Sequence, residues 1–169
     1  VTERYDLVEP ERVALGALGP VGKRTFVLQV REGARLVTCK LEKQQVAALS
    51  RHLARLLAGL ELPEELPSGD FLELEDFEEP EFVVGTLGIR YDEATDRVLL
   101  VADEVVAEEA EEPRVSLSIV LTRGQAAAVA IRGVQLVEAG RPPCPICGYP
   151  LDPRGHVCPR QNGHEPPLT

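Results

Sequence analysis

Between residues 115 and 121 the chain alternates in a strict rhythm of two. Val115, Leu117 and Ile119 point one way while Ser116 and Ser118 point the other. That period marks a strand with one face buried. Strand-like runs also occupy Thr25–Val30, Ala34–Leu41 and Arg97–Ala102, and two glycine-paired stretches, Val13–Gly19 and Val83–Gly88, precede them. Elsewhere the rhythm changes. Val46, Leu49, Leu53, Leu56, Leu57 and Leu60 recur at spacings of three and four, which predicts a helix with a single buried stripe. A second helix is predicted after Leu121, where Thr122 and Gln125 stand at the spacing of a capping box. Gly59 and Gly140 fall where the two helices should stop.

The pattern occurs twice. Leu41-Glu-Lys-Gln-Gln45-Val-Ala47-Ala48 matches Leu121-Thr-Arg-Gly-Gln125-Ala-Ala127-Ala128 at an offset of eighty residues. The predicted fold class is α+β: a duplicated β-β-β-α unit with small antiparallel sheets, each helix covering one face, and a C-terminal zinc-ribbon-like knuckle. The expected divisions are a first repeat over residues 1–60, an acidic connector over 61–81, a second repeat over 82–140 and a zinc-knuckle tail over 141–169.

Charge sharpens this division. The formal net charge is −10, yet residues 61–81 hold ten carboxylates and residues 103–112 hold six, with no Lys or Arg in either segment. The remaining chain has twelve acidic residues against eighteen basic ones. The acidic segments read first as solvated connectors that favour solubility. A sharper reading is that one of them shields a basic face including Lys23, Arg24, Arg31 and Arg35. No apolar run approaches the length of a membrane span, and the first ten residues do not resemble a signal peptide, so a cytoplasmic location is expected.

Candidate chemistry collects at the C-terminal end. Cys144, Cys147, His156, Cys158 and His164 lie within twenty-one positions. Zinc takes four thiolate or imidazole ligands at the corners of a tetrahedron. Cys144-Pro-Ile-Cys147-Gly supplies two sulfurs from one tight turn, and Gly155-His156-Val-Cys158-Pro resembles a second knuckle. His156 is the preferred fourth ligand and His164 the alternative. A full set of four makes the metal structural, and a segment this short depends on it for folding. Prolines flank the Cys-x-x-Cys pair, which disfavours a thiol-exchange role. Cys39, inside a strand, reads as a small core residue, and His52 as a residue flanking the helical stripe. Glu108, Glu109, Glu111 and Glu112 lack the alternating pattern of a calcium loop.

Five segments resemble an uncharacterised bacterial family, domain of unknown function 3090. They are Gly22-Lys-Arg24-Thr-Phe26, Leu41-Glu-Lys43-Gln-Gln45-Val, Phe82-Val-Val-Gly85, the stretch from Gly140 through Cys147, and Leu151 through Gly163. The resemblance spans nearly the whole chain and implies a source among Actinobacteria or Chloroflexota. It implies the ligand set Cys144, Cys147, His156 and Cys158, with the position of His164 commonly aromatic. Neighbouring genes in the family imply an accessory role beside a histidine-phosphatase-like or phosphoinositide-kinase-like protein.

Three functions follow as expectations. The first is a non-enzymatic zinc-binding adaptor that engages a protein partner. The second is an enzyme acting on a phosphorylated substrate in the groove between the repeats, with Arg24, Lys40, Lys43 and Arg123 supplying charge. The third is nucleic-acid binding through the knuckle. Acidic segments and the scarcity of aromatic residues oppose that last reading.

Overall fold

The computed structural model describes residues 2–20, 22–63, 65–67 and 73–139. Seven strands and two helices follow one another as β1 (Glu3–Leu7), β2 (Arg12–Leu18), β3 (Thr25–Glu32), β4 (Arg35–Leu41), α1 (Lys43–Ala58), β5 (Phe82–Asp92), β6 (Arg97–Glu104), β7 (Val115–Leu121) and α2 (Arg123–Ala139). The class is α+β. The alternation read in the sequence becomes β7, with Val115, Leu117, Ile119 and Leu121 all buried. In α1 the buried residues are Val46, Leu49, Ser50 and Leu53, and Gly59 ends the helix as anticipated.

Where two small antiparallel sheets were expected, a single seven-stranded mixed sheet forms, in the order β1-β7-β6-β5-β4-β3-β2. Two antiparallel meanders, β2-β3-β4 and β5-β6-β7, are joined by a short parallel pairing of Cys39 with Phe82 and Lys40 with Val83. β1 has no periodic signature, because its charged residues leave only Leu7 buried. This strand pairs in parallel with β7 and extends the sheet at the edge opposite β2.

That arrangement forces curvature. Seven flat strands place their outer edges about 29 Å apart. The connection from Leu7 to Arg12 reaches at most about 18 Å. The sheet therefore curls until its two edges approach. α2 lies in the concavity, packed against β2 at one edge and against β6 and β7 towards the other, while α1 packs on α2 and β5. The core between sheet and helices is largely apolar: Val13, Leu15, Leu28, Val30, Val37, Leu100 and Ile119 line it from the sheet.

The outer face of β2-β3-β4 is also covered, by the end of the acidic connector. Gln29 is 1% exposed. Its side-chain amide donates to the Glu75 carbonyl at 3.1 Å and accepts from the Glu75 N–H at 2.6 Å, as a neighbouring strand would. It also donates to Thr38 Oγ1 at 3.1 Å. The Glu75 carboxylate meets Arg31 at 2.6 Å and Arg12 at 3.7 Å. Leu74 lies over Gly16, where any β-carbon would fall 2.5 Å from its Cδ1. At the far end, Glu81 N–H donates to the Thr38 carbonyl at 2.8 Å, and its carboxylate accepts from Thr38 N–H. Residues 73–81 are thus a strap bound to the sheet, and in this stretch the connector is not a simple solvated spacer. Arg31 is the member of the anticipated basic face that the strap neutralises.

Candidate functional site

The clustered ligands Cys144, Cys147, His156, Cys158 and His164 lie outside the described residues. Among the described residues, no group of three His, Cys, Asp or Glu side chains is placed to hold a metal ion. Glu108, Glu109, Glu111 and Glu112 are exposed and form no such group. Cys39 is fully buried in the core. Burial pushes its thiol up to about 12, helped by the negative charge of Glu81, so it stays protonated and unreactive. His52 is exposed on α1 and borders an apolar groove formed with Leu49, Leu87 and Ile89.

A second set of side chains does converge. At the start of α1, a cavity of about 320 Å³ is lined by Gly22, Arg24, Thr25, Lys40, Glu42 and Lys43, among others. Local geometry explains the meeting. β3 and β4 pair antiparallel with Phe26 opposite Leu41, so the residues just before β3 and just after β4 share one end of the sheet. α1 begins two residues after β4 ends. Three cations therefore face one carboxylate, Glu42. None of Arg24, Lys40 and Lys43 forms an ion pair among the described residues. The Arg24 Nε is shut off from solvent and has no hydrogen-bond partner among them.

The fourth cation anticipated for this group goes elsewhere. Arg123 opens α2, where its Nε donates to Asp96 Oδ2 at 3.2 Å and its Nη1 donates to the Glu61 carbonyl at 2.5 Å. Tyr91 donates to the same Asp96 carboxylate at 2.6 Å. That hydrogen bond, with the nearby Arg123 charge, holds the Asp96 carboxyl below its ordinary range. Arg123 is a clamp fastening the β5–β6 turn and the start of the connector to α2. The cationic cavity lies within the first β-β-β-α unit and not in a groove between the two.

Sequence reasoning missed the long reach of two glutamines. In the capping box of α2, Gln125 N–H donates to Thr122 Oγ1 and Thr122 N–H donates to Gln125 Oε1, both at 3.0 Å, as anticipated. Gln125 Nε2 continues to the Pro10 carbonyl at 2.8 Å. Gln45 does the same at α1, accepting from Glu42 N–H at 2.7 Å and donating to the Val84 carbonyl at 2.9 Å. Val84 precedes Gly85, which sits at a bulge in β5 where a β-carbon would fall 2.7 Å from Val105 Cα. Gly22–Phe26, Leu41–Val46 and Phe82–Gly85, three of the segments that carry the family resemblance, thus meet around the first turn of α1.

These features define an α+β protein with a curled mixed sheet wrapped around two helices. The chain belongs to a family described as Protein of unknown function (DUF3090), whose model matches residues 5–158. No curated protein and no solved structure matches the chain. Among the described residues, no helix is long and apolar enough to cross a membrane.

Proposed function

We propose that this protein is a non-enzymatic, zinc-binding accessory protein whose α+β body presents a metal knuckle to a protein partner. The carrying observation is the gathering of Cys144, Cys147, His156 and Cys158 in the short stretch that follows α2. The matched family span takes in all four and stops at Cys158, short of His164, which supports the preferred ligand set. Thiolate and imidazole in this number and order suit a closed tetrahedral zinc site that supplies folding energy to a tail too short to bury a core. The body suits a scaffold made by duplication: β-β-β-α runs twice in the chain, and Gln45 and Gln125 play the same part in each. Ile131 and Val134, exposed one turn apart on α2, add an apolar strip on the helix that leads to the knuckle. The resemblance points to a histidine-phosphatase-like or phosphoinositide-kinase-like protein as the partner.

The test is zinc content per chain by elemental mass spectrometry on full-length protein purified without added metal. One tightly held zinc is expected, lost in Cys147→Ser and His156→Ala and kept in His164→Ala. A metal-free chain, or loss with His164→Ala alone, sinks the proposed ligand set. Direct binding of the purified chain to each candidate partner, with and without residues 141–169, tests the adaptor role. Equal affinity in both forms removes the knuckle from it.

A further inference from the structure

We infer that the cavity at the start of α1 is a binding site for a small-molecule phosphate monoester, with Arg24, Lys40 and Lys43 holding its phosphoryl group. The inference is independent of the zinc knuckle.

In a chain of net charge −10, three cations share one recess with a single carboxylate, Glu42. Among the described residues none of the three forms an ion pair, not even with Glu42 beside them. A recess in which three positive charges face one negative charge is a favourable place for an anion.

Arg24 lines the cavity, and its Nε is buried and reaches no acceptor among the described residues. Buried polar groups in native proteins are almost always paired, and one left over in a cationic recess points to an acceptor from outside the chain.

A helix carries partial positive charge at its N-terminus, where carboxylates are favoured and cations are not. α1 runs for sixteen residues, has no acidic residue in its first turn and begins on Lys43. α2 also begins on a cation, Arg123, but there Asp96 and the Glu61 carbonyl answer it. At α1 the N-cap carboxylate of Glu42 compensates the helix end in part, through a capping box with Gln45, but among the described residues no carboxylate pairs with Lys43. An anion seated by Lys43 adds to that compensation, with leading N–H groups of α1 as further donors.

The ligand class follows from charge and volume. A phosphate monoester is a dianion near neutral pH with several strong acceptor oxygens, and the planar fork of Arg24 beside two ammonium groups suits it better than a single carboxylate. A recess of 320 Å³ is near the lower limit of small-molecule sites, which leaves room for a phosphoryl group and a small organic remainder. A nucleic-acid backbone is disfavoured because the chain as a whole, at a net charge of −10 concentrated in its two acidic segments, repels a polyanion.

The test is calorimetric titration of the full chain with inorganic phosphate, glycerol 3-phosphate, ribose 5-phosphate and phosphoserine, with glycerol and ribose as unphosphorylated controls. At least one monoester should bind more tightly than inorganic phosphate, and the unphosphorylated controls should not bind. Affinity should fall as pH drops through about 6 and the dianion takes up a proton. Arg24→Gln and Lys43→Gln should each weaken binding by about tenfold. Arg55→Gln, an equal change of charge in the last turn of α1, should leave it unchanged. Circular dichroism of each variant separates lost binding from lost folding, and Arg24→Lys, which keeps the charge without the fork, should fall between wild type and Arg24→Gln. No heat with any phosphate, tighter binding of inorganic phosphate than of every monoester, or equal affinity in Arg24→Gln and wild type overturns the assignment.

Discussion

Gln29 is a buried amide on the outer face of β3, paired across the sheet with Ala14 and Thr38. It is 1% exposed, and its three hydrogen bonds, two of them to the Glu75 backbone, fix the strap to the sheet. Gln29→Leu keeps the volume but strands the N–H and C=O of Glu75 and the Thr38 hydroxyl. A loss of about 1–3 kcal/mol is expected in denaturant unfolding, with faster hydrogen exchange across residues 73–81. Glu75 adds a pH dependence. A hydrogen bond from Arg31, supported by the charge of Arg12, holds its carboxyl below the ordinary value of 4.5. A carboxyl depressed in the folded state contributes stability above its unfolded value, and that contribution disappears as acid protonates it. Stability should therefore decline below about pH 4.5, and Glu75→Gln should flatten that acid limb in pH-dependent melting. Little of this was legible. A lone Gln in the run Thr25–Val30 reads as an outward-facing polar position, since its partner lies 46 residues away. Cys39 was legible, because a small residue in an apolar strand has few other places to go.

At the level of elements, local rules carried the reading and distant ones escaped it. The box between Thr122 and Gln125 could be seen because its atoms belong to residues three apart. The onward bonds from Gln45 to Val84 and from Gln125 to Pro10 span 39 and 115 residues, and no spacing rule reaches that far. Each glutamine joins the start of its helix to another part of the sheet. Gln45→Ala should cost about 1–2 kcal/mol, read from the shift in thermal midpoint. Gln45→Glu retains an acceptor for Glu42 N–H but no donor for the Val84 carbonyl, so its cost should be intermediate. The cationic cavity was legible only in its members. Arg24, Lys40 and Lys43 could be picked out as cations, but their meeting, and the departure of Arg123, depend on the β3–β4 register and on Asp96.

At the scale of the whole molecule, the count of strands in each meander was readable and their union was not. Among the described residues, the strand pairing between the two meanders is Cys39–Phe82 and Lys40–Val83, and a two-residue contact leaves no periodic trace. β1 escaped for a related reason: Leu7 is its single buried side chain, so the strand is defined by the β7 backbone beside it. Removing residues 1–8 should leave that edge of β7 unpaired while the rest of the core persists. Concentration-dependent association, visible in light scattering at micromolar protein, is the expected result, because a bare strand edge is a template for another chain.

The pairing of β1 with β7 also sets a schedule. Glu3 faces Val115 across 112 residues of sequence. At the usual pace of translation, roughly 6–20 s pass between the synthesis of those two positions. Over the same interval β2, β3, β4 and α1 emerge and find one another, since hairpins close in roughly microseconds. The earliest of these strands to leave the ribosome is thus among the last to find its place. During that wait its charged sequence, poor in apolar side chains, keeps it from clinging to the wrong partner.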